Sequence, residues 1–363
     1  MTTMTTLTDF RSFSKSTRAS ARPLEPVIDP AGWTAEALAD VDSWSYRITA
    51  ADVDQLRAGV IAVRTKGVAL AEIVKADFPL GTFGEVLADV RRELLDGRGI
   101  VMLRGVPVDD FAREDLAIAY LGLGAHLGQM VSQNGEGHVL GHVKDIGGDY
   151  SDPNTRGYLT KAEMNFHSDS CDYVGLLCLK TSKSGGASRI ASSITIYNAL
   201  LERRPDLAQV LTEDFYWTKH DEVNPGEEPF YKAPMFVFHE GYLNIRGPGA
   251  FVAKAQGLPG VPLFTDLQNE AIATYRAIIS EFALDIEFRP GDIQFLHNYV
   301  MLHTRRAFDD WDEPERRRHL LRLWLRDDNG RPMPQSMRDG ILGHGVRLDG
   351  VPLIAPLDVA VAA

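Results

Sequence analysis

The sequence predicts a mainly β fold with flanking helices (α+β), a sandwich or jelly roll, and three observations carry that expectation. From His138 onward, short apolar or alternating runs are broken by Gly, Pro, Asn and Asp, the pattern of many short strands joined by turns. Helix-period segments gather before that point, with one strong exception near 265–282. Strict alternation of strand and helix is missing, which argues against a parallel α/β sheet.

The elements follow in chain order. Residues 34–42, 51–65 and 83–96 mix Ala, Leu and Val with charges at helical spacing, and Thr34 and Thr82 are expected to cap two of these helices. Gly99-Ile-Val-Met-Leu-Arg-Gly105 reads as a buried strand between glycines, followed by a helix from Arg113 to His126. Strands are expected at 138–144, 163–169, 174–181, 188–192, 235–238, 242–246, 285–288, 292–297 and 319–326. Helices are expected at 194–202, 205–211 and 265–282. The organisation expected is a flexible or strapping tail over 1–30, one domain over 31–330 (helical part 31–98, β core 99–330), and an irregular Pro- and Gly-rich tail over 331–363.

Bulk properties narrow the function. A chain of 363 residues with 44% hydrophobic and 24% charged residues can bury a sizeable core. A formal charge of -12 excludes a general binder of phosphate backbones, so no nucleic-acid partner is expected. No apolar stretch approaches the roughly 18 to 20 residues that span a bilayer, so no membrane partner is expected either. The first 22 residues are rich in Thr, Ser and Arg with Asp9 the only acid; they lack a secretory apolar core, and a tail is favoured over a transit peptide. Two cysteines, Cys171 and Cys178, are too few for a disulfide framework and suit a reducing, cytoplasmic setting. A homo-oligomer is left open.

The sharpest local signal is Glu163-Met-Asn-Phe-His167-Ser-Asp169. In a strand Glu163, Asn165, His167 and Asp169 would share one face, and such a polar row on a buried sheet is costly unless it binds something. His167 and Asp169 can reach one ion, and His303 can complete two imidazoles and a carboxylate, the facial set that leaves positions open on iron(II). Spacing does not choose His303 over His138, His142, His239 or His297, which also sit in strand-like runs.

Context adds to this. Asn165-Phe-His167-Ser-Asp169, Gly185-Gly-Ala-Ser188, Asn298-Tyr-Val-Met-Leu-His303-Thr-Arg305 and Arg317-Arg318-His-Leu-Leu-Arg322-Leu-Trp324 together resemble the taurine dioxygenase-like (TauD/TfdA, clavaminate synthase-like) family over residues 95–326. The resemblance implies a double-stranded β-helix, a distorted jelly roll, with the metal in its mouth. It implies His167, Asp169 and His303 as the iron ligands and catalytic set. Arg318 matches the arginine that pairs with the distal carboxylate of 2-oxoglutarate, and Ser188 stands where many members place a Thr hydroxyl on that co-substrate. Arg322 matches a position that contacts an anionic substrate in some members.

The implied activity is an Fe(II)- and 2-oxoglutarate-dependent dioxygenase, with O2 as second co-substrate. It would oxidise a C–H bond of a small, charged or amino-acid-like metabolite by hydroxylation, desaturation or cyclisation, giving succinate and CO2. Asp169 argues against the related halogenases, which vacate that carboxylate position. The chemistry of the residues agrees: a guanidinium is planar, permanently charged and able to grip a carboxylate with two hydrogen bonds. Beyond Arg322, substrate contacts are expected from Glu163, Asn165, Arg246 and Asn298; Arg246, beside Gly247-Pro248-Gly249, reads equally well as a turn anchor.

Two rival classes share the fold: a cupin-type hydrolase or isomerase, and a non-catalytic metal-binding protein. Arg318 with Ser188 as a dicarboxylate clamp argues against the first, and the completeness of the set against the second. Other chemistries lack support. Gly122-Leu-Gly124-Ala-His-Leu-Gly128 has its last glycine one place too late for a dinucleotide fingerprint, and neither a phosphate loop nor a nucleophile elbow is present.

Overall fold

Apolar strands, buried on both faces, build the largest layer of the molecule. The computed structural model describes residues 17–148, 155–338 and 345–358. The first five strands are β1 (Ser45–Arg47), β2 (Ile100–Arg104), β3 (Gln129–Met130), β4 (Leu140–Val143) and β5 (Tyr173–Lys180). Next come β6 (Ser184–Gly185), β7 (Ser188–Ser192), β8 (Phe215–Thr218), β9 (Phe230–Ala233), β10 (Phe236–His239) and β11 (Tyr242–Ile245). The last are β12 (Leu284–Ile286), β13 (Ile293–His297), β14 (Met301–Arg305), β15 (Phe308–Asp309) and β16 (His319–Arg326). The helices are α1 (Ala50–Lys66), α2 (Thr82–Asp96), α3 (Arg113–Leu127), α4 (Ser193–Arg203), α5 (Pro205–Val210), α6 (Ala250–Lys254), α7 (Asp266–Glu281) and α8 (Gln335–Arg338).

A large sheet runs β1-β2-β13-β5-β16-β3, with β4 also paired to β16. Only the β1–β2 pairing is parallel in it. A smaller antiparallel sheet runs β12-β7-β14. The pairings described do not join the two into a closed barrel. Residues of α1, α2 and α3 pack on one face of the large sheet, against Leu321, Leu323 and Leu325 of β16. The other core gathers α4, α5 and α7, Ile190 of β7, Leu302 of β14 and Trp324 of β16. Burying each such leucine is worth roughly 1.5–3 kcal/mol, so β16 is fixed from its leucine side. No helix among the described residues is long and apolar enough to cross a membrane.

Local chemistry explains the helix ends. Thr49 and Asp52 close a reciprocal cap at α1, Gly67 ends it in the left-handed region, and Thr265 with Gln268 caps α7 the same way. Thr82 is not the cap expected of it. Gly81 takes that position, and the Thr82 hydroxyl accepts from Gln55 Nε2 instead. The helix expected at 34–42 is two 3-10 turns, Glu36–Leu38 and Val41–Trp44, because Leu38 and Trp44 are both buried and Trp44 Nε1 donates to the Leu38 carbonyl.

The run 163–169 is not a strand. It makes only one isolated bridge, between His167 and His303. The neighbouring carbonyls that a ladder would use are taken by side chains of β14: the Arg305 guanidinium donates to the carbonyls of Thr160 and Ala162, and the Thr304 hydroxyl to that of Met164. Strands β1, β3, β6, β8, β9, β14 and β15 lie outside the expected runs.

Of the expected N-terminal tail, 17–30 is strapped down. Asp29 is buried against Arg331 (2.7 Å) and Arg18 (2.9 Å), and Asn198 clasps the backbone of Val27. Of the expected C-terminal tail, 345–358 lies along the sheet edge through Val139 and Ile354. Residues 1–16, 339–344 and 359–363 of those tails lie outside the described residues.

Candidate metal centre and its cavity

Strand β14 and the irregular segment beside it bring three side chains together. His167 and His303 exchange both backbone hydrogen bonds at 3.0 Å, which sets their rings 4.4 Å apart. Asp169 follows two residues later, its amide donating to Asn298 Oδ1 at 3.1 Å. One ligand atom from each of His167, Asp169 and His303 lies within 4.8 Å of the others, close enough to share one ion.

The hydrogen bonds around this set favour a metal. His167 Nδ1 donates to the Asn165 carbonyl at 2.9 Å, so the proton sits there and the Nε2 lone pair is free. Burial and the neighbouring His303 push the His167 imidazole down to about 4, so it is neutral at ordinary pH. Burial would raise the Asp169 carboxyl, but Arg322, His303 and His167 outweigh it and hold the group below the usual carboxylate range. Trp324 Nε1 donates to Asp169 Oδ2 at 2.9 Å, and Arg322 Nη1 stands 3.9 Å from Oδ1. An ionised carboxylate beside the neutral His167 imidazole and the His303 ring is a suitable hard-to-borderline donor set for iron(II).

A second group of polar atoms lacks partners. Arg318 is buried and its Nη1 makes no hydrogen bond among the described residues, as is true of Gln294 Nε2. The Ser188 hydroxyl bonds Gln294 Oε1 at 3.3 Å. Burial pulls the Arg318 guanidinium down to about 10, which leaves it charged. Gly185 and Gly186, both in the left-handed region, carry the chain past this arginine; a Cβ on Gly186 would stand 3.2 Å from Arg318 Nε. A buried cation and a buried amide without acceptors fit a carboxylate supplied by a ligand.

The remaining expected residues divide. Arg246 and Arg322 line a cavity with His167, Asp169, Ser168, Trp217 and Trp324. Asn165 is exposed but also lines it. Glu163 is exposed and does not line it, because the segment lacks the alternation of a strand. Asn298 is fully buried away from the cavity. It holds the Asp169 amide and donates to the Cys171 carbonyl at 3.0 Å, so it braces the metal segment rather than facing a substrate.

Sequence reasoning missed several lining groups: Arg156, His220 and Lys254. Burial, then Arg156 and Lys254, push the His220 imidazole down to about 4. It also missed Gln133, which accepts from Arg322 Nε at 2.7 Å. Trp324 was legible as a neighbour of Arg322 on one strand face, but not as a donor to Asp169.

Comparisons with known proteins agree with this geometry. Residues 65–324 match the family model "Taurine catabolism dioxygenase TauD, TfdA family". The chain is 30% identical to FR-33289 synthase of Streptomyces rubellomurinus (strain ATCC 31215) over 86% of its length and 94% of that protein. It is also 30% identical to the Taurine hydroxylase-like protein SAT17 of Stachybotrys chartarum (strain CBS 109288 / IBT 7711), over 83% of this chain and 80% of that one. Among solved structures, an asparagine oxygenase in complex with Fe(II), 2S,3S-3-hydroxyasparagine and succinate superposes with a TM-score of 0.62 at 18% identity, over 78% of this chain and 93% of that one. The non-heme iron oxygenase OrfP in complex with Fe and alpha-ketoglutaric acid gives 0.55 at 17% identity, over 77% and 93%.

Proposed function

The chain belongs to the TauD/TfdA family of iron(II)- and 2-oxoglutarate-dependent dioxygenases, and from that premise we propose that it oxidises a C–H bond of a small, anionic metabolite bound in the cavity beside His167, Asp169 and His303. The fold is the family's distorted jelly roll. Iron(II) with 2-oxoglutarate and dioxygen supplies the oxidising power, releasing succinate and CO2. In this reading His167, Asp169 and His303 hold the iron, and Arg318 with Ser188 holds the far carboxylate of 2-oxoglutarate.

The protein's own work is positioning. The Asn165 carbonyl keeps the His167 proton on Nδ1, and Trp324 engages one oxygen of Asp169 so that the other is free to bind. The leucine-packed side of β16 fixes the strand that carries Arg322 and Trp324. The observation that carries the reading is the pairing of one possible metal set with one buried arginine whose guanidinium Nη1 has no hydrogen-bond partner among the described residues.

An anionic substrate is supported by the lining: Arg156, Arg246, Arg322 and Lys254 are cationic, and Asp169 is the one acid among the described lining residues. The hydroxylated amino acid bound by the asparagine oxygenase supports a substrate of amino-acid size. Buried free thiols at Cys171 and Cys178 suit a reducing compartment, and a cytoplasmic location belongs to the same reading.

The test is a screen of small acids with iron(II), ascorbate and 2-oxoglutarate, following succinate together with gain of one oxygen or loss of two hydrogens. Succinate formed in step with an oxidised product supports the proposal. Iron-independent conversion of any substrate, or none with a broad acid panel and iron-loaded protein, contradicts it.

A further inference from the structure

Of the three arginines that line the cavity, Arg156 is paired with Glu222, and the other two have unequal commitments. Arg322 donates through Nε to Gln133 Oε1, and Gln133 is itself fixed by donating to the carbonyls of Val139 (3.0 Å) and Arg322 (2.9 Å). Its guanidinium stands over the Tyr158 ring at 4.5 Å and the Trp324 ring at 5.0 Å, and its nearest acid is Asp169. That charge already has a counter-charge, and its orientation is set by the same strand that presents Trp324 to Asp169.

Arg246 has neither. It is 4% exposed, its guanidinium carbon lies 4.4 Å from the Trp217 ring centre and 5.4 Å from that of Tyr231, and Nη1 donates to the Tyr231 hydroxyl. Its Nε and Nη2 make no hydrogen bond, and no carboxylate pairs with it among the described residues. Burying a cation without an anion is costly, and two aromatic faces offset only part of that cost. The cavity is the side from which an anion can arrive.

The backbone makes this arginine rigid and keeps it near the metal segment. Its amide donates to the Met235 carbonyl at 2.8 Å, and its carbonyl accepts from the Tyr275 hydroxyl at 3.4 Å. The next residue, Gly247, donates to Ser168 Oγ at 3.2 Å, and a Cβ there would stand 2.8 Å from His167 Cα. A turn anchor would need only the backbone bonds. The aromatic cage and the unused N–H groups are extra, and Arg246 and Trp217 both line the cavity.

We propose that Arg246, held in the Trp217–Tyr231 cage, is the receptor for an oxyanion head group of the substrate (carboxylate, sulfonate or phosphonate), while Arg322 is a positioning residue for Asp169. The proposal rests on the cavity being the substrate site, and it narrows that reading to one anchoring cation. A head group on Nε and Nη2 would set the substrate's length and direction relative to the metal segment, because Tyr231, the Trp217 ring and the backbone bonds hold Arg246 in place.

The test uses the full-length protein under nitrogen with iron(II) and 2-oxoglutarate, titrated in a calorimeter with acetate, methanesulfonate and methylphosphonate. At least one probe is expected to bind. Arg246→Met should weaken it more than tenfold, and Arg246→Lys, which keeps the charge but loses the paired N–H groups, several-fold. Arg322→Lys should leave probe affinity within about twofold while weakening iron binding. Trp217→Phe, a milder change of the cage, should weaken the probe less than Arg246→Met and guards against a misfolded Arg246 variant.

Probe affinity that survives in Arg246→Met but falls in Arg322→Lys would overturn the division of roles. Binding of no probe to the wild-type protein would overturn the receptor. Loss of iron and 2-oxoglutarate binding in the wild-type protein, measured in the same cell, would instead overturn the enzyme assignment itself.

Discussion

Strand β16 shows two faces of equal depth and opposite chemistry. Leu321, Leu323 and Leu325 end in methyl groups packed among α1, α2 and α3, while Arg322 and Trp324, also buried, end in N–H groups near Asp169. The leucine side chains are complete in themselves, having no hydrogen bonds to make. The polar face and its surroundings are not: His303 Nδ1, Arg318 Nη1 and Gln294 Nε2 have no partner among the described residues. Burial alone therefore does not distinguish core from site. Unused hydrogen-bonding capacity on several neighbouring buried groups is the further mark here, since each such group costs stability until a ligand supplies its partner.

The difference sets the size and kind of each mutational effect. Asp169→Ala should lower turnover by on the order of a thousandfold or more, since removing a ligand of the proposed iron would forfeit several kcal/mol of transition-state stabilisation. Succinate release and bound iron report it. Leu323→Ala, on the opposite face, should cost about 2–5 kcal/mol in urea unfolding yet leave turnover per folded molecule unchanged. If instead turnover collapsed and stability held, the two faces would not be separable as described.

Arg318→Met sharpens the contrast. It should weaken 2-oxoglutarate by about two orders of magnitude, the value of a charge-assisted pair of hydrogen bonds. Without co-substrate the variant should be no less stable than the parent, because an unpartnered buried cation has been removed. Equal losses of stability and affinity would mean that Arg318 is structural. Trp324→Phe keeps the ring and deletes one donor to Asp169, and should weaken iron about 10- to 100-fold in a chelator competition.

The first residue of β16 supplies a polar pair that is satisfied internally. His142 Nε2 donates to the Pro356 carbonyl, so its Nδ1 accepts from His319 Nε2 at 2.8 Å. Burial, then His142, push the His319 imidazole down to about 3, well below its ordinary 6.5. A depressed histidine is neutral in the folded protein, so its stabilising contribution is whole above pH 6.5 and is lost as pH falls toward 3. Thermal unfolding between pH 7 and 5 should show this as a loss of up to roughly 1.4 kcal/mol per pH unit for one proton. His319→Leu should flatten the slope, and an unchanged slope would remove the pair from the account.

How much of this was legible depended on whether periodicity or tertiary contact makes the element. Helices α1, α2, α3 and α7 fall within a residue or two of expectation because capping groups and helical spacing are local. The runs of β13 and β16 announce themselves as largely apolar, whereas β14 is buried at every position and carries His, Thr and Arg, so no alternation marks it. The segment 163–169 misled for the opposite reason. It alternates in sequence, yet the side chains of Thr304 and Arg305 occupy the carbonyls of Thr160, Ala162 and Met164 before and at its start, and the segment keeps only the His167–His303 bridge. Arg156, His220 and Lys254 reach the cavity from separate stretches of chain, and no spacing in the sequence relates them. The family resemblance, carried by four short segments, was legible from those segments alone.

The most direct test of the central claim is the visible absorption that appears when iron(II) and 2-oxoglutarate are added together to the protein under nitrogen. A weak band should develop with the wild-type protein, vanish in His303→Ala, and require far more 2-oxoglutarate in Arg318→Met. Absence of any band with the wild-type protein, or a band untouched by both substitutions, would contradict the claim that these side chains converge to hold the metal and its co-substrate.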